Sequence, residues 1–288
     1  MVAVSKNTVE VVSSGARLGA DIVGVDLRQV DDHTFGLIHQ AWLDHQVLRF
    51  RGQRLDDDVL AEFSGRFGEL DLAPVGRGGK PFQPNRPEVT VISNIMVNGE
   101  AIGGLGAGEA EWHTDMSYNE VPPNASLLYG IEVPEGHGDT WFCNMYAAFE
   151  ALSESMRQRI ASLRCKHDST RNSAGILRAG FAESYAPEEQ PGAVHPLVRT
   201  HPETRRQALF LGRRRNAYVI GMPIEDSSRL LDELWAFATK PEFLWVQSWQ
   251  AGDAILWDNR CVMHRREPFD PGLRRLMHRT QIKGSRPF

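Results

Sequence analysis

The chain has 288 residues, 41% of them hydrophobic and 24% charged, with a formal net charge of −5. These are ordinary globular values, and they argue against a disordered, collagenous or disulfide-stapled chain. Dispersed basic residues on a mildly acidic protein give no footing for nucleic acid, and no apolar run approaches the length that spans a bilayer, so neither partner is expected.

Cys143, Cys165 and Cys261 are odd in number and lack metal-site spacing, and residues Met1–Lys6 carry no apolar signal segment. A reduced, cytoplasmic setting is therefore expected. Residues 8–27 alternate Val, Ile and Leu with polar residues and break at Ser13-Ser14-Gly15 and Leu18-Gly19-Ala20, which predicts a hairpin. Asp31–His45 predicts an amphipathic helix with Asp31 and Asp32 available to cap it. Val47–Phe50 predicts a strand, and Asp56–Phe67 a second helix whose acidic start suits the positive end of the dipole. Glycine clusters at 76–79 and 103–108 bracket a predicted strand, Val89–Asn94. Because this glycine-rich stretch runs directly into His113, residues 74–110 are expected to cover a site there.

Strands are predicted at Ala125–Val133 and Gly138–Cys143, then one long helix at Met145–Arg164. The 167–195 stretch gives no assignment. Strands or edges are expected within 195–212 and 217–221, a helix at Asp226–Ala238, and strands at Glu242–Trp249 and Ala254–Trp257. No repeat or linker divides the chain, so residues 1–288 read as one domain. Many short strands with helices outside leave a closed or sandwiched antiparallel architecture, or a generic α+β fold.

The chemistry gathers at two places. His113-Thr114-Asp115 is a His-x-Asp unit, and on an extended strand residues i and i+2 share a face. His264, after the apolar run Cys261-Val262-Met263, supplies a second imidazole. Two imidazoles and one carboxylate form the facial set that holds non-haem Fe(II) with positions left open. A zinc hydrolase or a non-catalytic metal-binding jelly roll could carry the same three residues. Neither has an evident use for Arg275 and Arg279, which follow His264 by 11 and 15 residues and share a strand face. Arg274 alternates away from that face. A guanidinium fork meets a carboxylate bidentately and keeps its charge.

The phrases Trp112–Asp115, Gly138–Leu152, Trp257–Arg260 with His264, and Arg274–Arg279 resemble the TauD/TfdA family of Fe(II)- and 2-oxoglutarate-dependent dioxygenases. The resemblance runs from Gly19 to Ile282. It implies a mainly β fold with flanking helices, the double-stranded β-helix or jelly roll. It implies His113, Asp115 and His264 as iron ligands, Thr140 and Arg275 as holders of the far carboxylate of 2-oxoglutarate, and O2 as oxidant. The implied reaction hydroxylates a small anionic organic substrate, releasing succinate and CO2, and cleaves the bond where the hydroxylated carbon bears a heteroatom. Arg279 matches the position that meets the substrate's anionic head. With iron and Arg275 neutralising 2-oxoglutarate, Arg279 is otherwise a spare buried cation.

The chain departs from the taurine enzymes in having no histidine just after Phe67-Gly68, and Ile92-Ser93-Asn94 followed by Asn98-Gly99 is similar to the phenoxyacetate branch. An aryloxyalkanoate-like carboxylate is therefore the expected substrate, with Asn94 as a further contact; a sulfonate or an amino-acid-derived acid is the alternative. Arg213-Arg214-Arg215 reads as a solvated basic turn before a second anion contact, and His137, His167, His195, His201 and His278 as surface or core residues. A homo-oligomer, dimer or tetramer, is expected.

Overall fold

A computed structural model of the chain describes residues 9–75, 80–108, 110–178, 180–182 and 186–288. β1 (Glu10–Ser13) and β2 (Ala20–Val23) make the predicted antiparallel hairpin. α1 (Asp32–His45) starts at an Asp31 cap whose carboxylate accepts from the Thr34 N–H, and ends at Gln46 in the left-handed region at φ 61°. β3 (Val47–Phe50) follows at once. α2 (Asp57–Gly65), capped by Asp56, stops short of the predicted Phe67, because the Arg66 and Phe67 N–H groups bond three residues back and tighten the last turn.

The stretch before His113 holds β4 (Thr90–Ser93), β5 (Met96–Val97), β6 (Glu100–Ala101), β7 (Gly104–Leu105) and β8 (Ala110–His113). β7 pairs in parallel with β4, and a Cβ on Gly103 would sit 2.8 Å from the Val91 carbonyl oxygen, so the close approach needs glycine. The run Gly76–Gly79 of the expected cover lies outside the described residues.

β9 (Ala125–Glu132) and β10 (Thr140–Asn144) match their predicted positions. The single helix predicted over Met145–Arg164 is instead two, α3 (Met145–Glu150) and α4 (Glu154–Ile160). The Ser153 side chain accepts from the Met156 N–H and starts a new helix, and Arg164 already belongs to β11 (Arg164–Lys166). Short strands follow: β12 (Val194–Pro196), β13 (Val198–Thr200), β14 (Gln207–Leu209) and β15 (Tyr218–Val219). Then come α5 (Ile224–Ala238), β16 (Leu244–Gln247), β17 (Ala254–Asp258), β18 (Val262–Arg266) and β19 (Leu276–Ile282).

Eight strands form one sheet in the order β1-β2-β3-β17-β9-β19-β4-β7, and four form another in the order β16-β10-β18-β8. The sheets face each other: Trp257 of β17 lies 5.7 Å from the Phe142 ring of β10 and 4.8 Å from the His264 ring of β18. α1 and α2 bury Ile38, Trp42, Leu60 and Phe63 against Leu48, Phe50, Leu127 and Leu256 of the larger sheet. α3 and α5 pack in the core shared by the smaller sheet. This is the mainly β jelly roll with flanking helices. Among the described residues no helix is long and apolar enough to cross a membrane.

Candidate active site

β8 and β18 are neighbours, and His113 and His264 are cross-strand partners with ring centroids 4.2 Å apart. Asp115 does not lie on an extended strand as predicted. β8 ends at His113, and the chain turns, with Met116 at φ 47°. Asn259 holds this turn: it accepts from the Asp115 N–H at 2.9 Å and donates to the Asp115 and Pro123 carbonyls at 3.0 and 2.9 Å. The turn brings Asp115 Oδ1 to 3.6 Å from His113 Nε2. One donor atom from each of His113, Asp115 and His264 then lies within 4.8 Å of the others, and all three residues are buried.

The surroundings of the donors also suit a metal. His113 Nδ1 lies 2.7 Å from the Glu111 carbonyl oxygen, which can only accept, so Nδ1 carries a proton and Nε2 is the ring nitrogen turned toward Asp115. Burial, followed by the neighbouring His113, holds His264 well below the usual histidine range, and its Nδ1 is buried without a partner. Burial opposes the charge on Asp115, but the neighbouring Arg279 cation outweighs it and holds the carboxyl well below its usual range. Two imidazoles and an ionised carboxylate, with a buried His264 nitrogen left unbonded, fit a divalent transition metal.

Arg279 is not the spare cation predicted. Its Nη1 lies 3.3 and 3.2 Å from the two Asp115 oxygens, and Gln281 Nε2 and Ser126 Oγ also donate to Oδ2 at 3.2 and 3.0 Å. Its Nε remains buried without a partner.

A cavity of about 750 Å³ opens over these residues and is also lined by Thr140 and Arg275. That lies within the range of about 300–1,000 Å³ that holds small ligands. Thr140 Oγ1 accepts from the Trp249 indole at 2.9 Å. Arg275 has Nε and Nη2 buried without partners, and burial followed by the nearby Arg266 pushes its pKa down to about 9. Asn94 does not face the cavity as predicted for a substrate contact. Its Oδ1 accepts from the Arg275 N–H at 2.9 Å and its Nδ2 donates to the Leu273 and Pro271 carbonyls at 2.7 and 3.2 Å, so it fixes the bend that delivers Arg275.

Of the cavity's arginines, the sequence reading passed over Arg266 and misplaced Arg213. Arg266 stands beside Thr140 in the sheet, donates to the Gly108 carbonyl, and keeps Nη1 buried without a partner. Its place two residues after His264 on one strand was a readable signal. Arg213 turns into the cavity instead of sitting on a solvated turn, whereas Arg214 bonds Asp232 at 2.6 Å and Arg215 is exposed 4.0 Å from Glu111. His137 is exposed, His278 bonds Asp57, and His167, His195 and His201 are buried. His201, Asp258 and Cys261 also cluster, but Arg260 and His201 already occupy both Asp258 oxygens, so that group is an ion-pair network.

The family described as "Taurine catabolism dioxygenase TauD, TfdA family" matches residues 10–281. The (S)-phenoxypropionate/alpha-ketoglutarate-dioxygenase of Delftia acidovorans is 32% identical over 97% of this chain and 96% of its own. The alpha-ketoglutarate-dependent 2,4-dichlorophenoxyacetate dioxygenase of Burkholderia sp. (strain RASC) is 34% identical over 83% of this chain and 82% of its own. The crystal structure of AAD-2 with Mn(II) and N-oxalylglycine superposes with a TM-score of 0.76 at 28% identity, covering 97% of this chain and 99% of that one. With the cavity, the metal-competent triad and these relatives taken together, the chain belongs to the TauD/TfdA family and is a 2-oxoglutarate-dependent non-haem Fe(II) dioxygenase.

Proposed function

We propose that His113, Asp115 and His264 hold the iron, that Arg275 and Thr140 hold the far carboxylate of 2-oxoglutarate, and that the prime substrate is a small carboxylic acid with an apolar, aryl-sized body. The observation that carries this reading is the meeting, in one cavity, of the three metal donors with a guanidinium whose Nε and Nη2 are buried and unbonded. An unpaired buried cation is costly, so Arg275 is built to receive an anion.

Iron bound at this set supplies the O2 chemistry; the protein's own groups bind, orient and exclude water. Glu111 fixes the His113 tautomer, and Asn259 fixes the Asp115 turn. Trp249 orients the Thr140 hydroxyl, which leaves its proton free to donate to the carboxylate that Arg275 grips. Arg279, anchored to Asp115, turns its remaining donors toward the substrate's acid group. Leu128 and Trp257 wall the cavity, and Leu72, Val75, Phe82 and Leu105 from the segments around the expected cover line its mouth. That apolar lining suits the aryl body of the phenoxypropionate and dichlorophenoxyacetate named for the relatives. The described residues of the 74–110 segment serve as the cover that shields the site from water. Three buried cysteines without disulfides support a cytoplasmic setting.

Purified enzyme with Fe(II) and 2-oxoglutarate under air should release succinate in step with oxidation of an aryloxyalkanoic acid, and far less with taurine. Equal coupling to taurine, or no coupling to any acid, overturns the substrate reading.

A further inference from the structure

Arg178 and Arg213 reach the cavity from segments the metal set does not use. Their guanidinium carbons lie 4.0 and 5.2 Å from the centre of the same Tyr118 ring, so two cations gather at one aromatic surface. Arg213 leaves the loop just after β14. The Thr114 N–H donates to the Gly212 carbonyl at 3.0 Å, which ties that loop to the residue between His113 and Asp115. Gly212, at φ 66°, admits no side chain, since a Cβ there would fall 1.9 Å from the His167 ring. The backbone that delivers Arg213 is therefore fixed.

The guanidinium itself is only partly satisfied. Arg213 Nη1 donates to the Arg171 carbonyl at 2.6 Å, and Nε is buried without a partner. Its two neighbours in sequence face carboxylates, Asp232 for Arg214 and Glu111 for Arg215. Among the described residues no carboxylate lies within ion-pair distance of Arg213 or Arg178, although Asp115 and Asp168 are near enough to Arg213 to favour its charge. The cavity lining holds Arg178, Arg213, Arg266, Arg275 and Arg279 but a single carboxylate, Asp115. A divalent metal adds to this positive excess, and 2-oxoglutarate returns two negative charges. A substrate whose single acid group sits at Arg279 leaves the mostly buried Arg213 without an anionic partner, an arrangement that costs free energy.

We infer that the prime substrate is a dianion, with one acid group at Arg279 beside Asp115 and a second held by Arg213 and Arg178 at Tyr118. The inference rests on the reading of this cavity as the prime-substrate site. A carboxylate, sulfonate or phosphate satisfies both forks, because each presents oxygens in the spacing of a guanidinium's paired N–H groups. The phenoxypropionate and dichlorophenoxyacetate named for the relatives carry one acid group each, so the second pole is a difference of specificity within the same reaction.

The test compares phenoxyacetate with 4-carboxyphenoxyacetate, titrated by calorimetry into Mn(II)-loaded enzyme saturated with 2-oxoglutarate. The dianion should bind about tenfold tighter or more, and the preference should shrink as salt is raised. Arg213→Gln and Arg178→Gln should each reduce the ratio, the double substitution should bring it to about one, and Arg213→Lys should retain part of it. Melting temperatures check that the variants are folded. Equal binding of the two acids by the unaltered enzyme, including no measurable binding of either, overturns the inference, as does a ratio that survives the double substitution. Succinate release by the Fe(II) enzyme with phenoxyacetate under air is measured in parallel. If it is absent, the reading of the cavity fails and the inference with it. If it is present while the two acids bind alike, only the second pole fails.

Discussion

Asp115, the carboxylate proposed to hold the iron, is heavily contacted. Arg279, Gln281 and Ser126 all reach its carboxylate, and Asn259 grips its backbone on both sides. Partners of a ligand typically set metal affinity by about 10–100-fold. Asn259→Ala should therefore weaken Fe(II) binding by roughly that factor while leaving His113 and His264 in register, which calorimetric metal titration of the variant measures. Arg275 is the opposite kind of residue, fully buried and waiting for a partner. Removing one member of a desolvated charge pair costs about 2–5 kcal/mol. Arg275→Ala should raise the KM for 2-oxoglutarate by more than tenfold with the iron content retained. An unchanged KM would remove Arg275 from the co-substrate site.

At the scale of elements, β19 and its approach connect the two ends of the chemistry. Asn94, at the end of β4, holds the loop that precedes β19 through three hydrogen bonds. Asn94→Ala should thus mimic a weakened Arg275, raising the KM for 2-oxoglutarate several-fold and leaving the prime-substrate KM closer to its original value; steady-state kinetics with each substrate varied separates the two. How far these elements could be read from sequence depends on how local their causes are. Asp31 and Asp56 cap the first two helices within their own turns, so both starts were legible. Ser153 was equally local evidence for a break in the 145–164 helix, and the apolar periodicity on both sides hid it. That His113, His264 and Arg275 would meet in one cavity was legible because their order along the chain is distinctive. The turn at Asp115 was not, because its cause, Asn259, lies 144 residues away. Arg213 was misread for the same reason. A basic run is solvated on average, and what turned this one inward is the pairing of Gly212 with Thr114.

For the whole molecule, buried histidine makes stability depend on pH. His167 has both ring nitrogens buried without partners and stacks on Phe210 at 5.4 Å. Burial first, then His195 and Arg213, push its pKa down to about 3. An unfolded histidine titrates near 6.5, so between about 6.5 and 3 the unfolded chain binds the extra proton. The contribution is fully present above about 6.5 and is lost as pH falls, at roughly 1.4 kcal/mol per unit. Urea unfolding of metal-free enzyme at pH 7 and pH 5 should show a loss on the order of 2 kcal/mol from this group, and His167→Leu should flatten that part of the slope. Asp258 acts in the same direction lower down. Burial opposes its charge, but Arg260 and His201 hold its carboxyl well below the usual range, so its contribution fades as pH drops below about 4.

The site is also a seam between the two sheets. His113, His264 and Thr140 belong to the four-stranded sheet, whereas Arg279 and Gln281 belong to the eight-stranded one, with Arg275 entering it, and the Asp115 carboxylate is bonded across the gap. Each sheet is stitched internally by its backbone ladder, whereas the bonds that reach the Asp115 carboxylate across the gap come from side chains. A slide of an ångström between them would separate the donors from their supporting bonds while leaving every strand intact. Turnover therefore reports the alignment of the sheets more sensitively than any spectroscopic measure of strand content. On slow heating, activity and bound iron should be lost several degrees before the β-sheet signal falls.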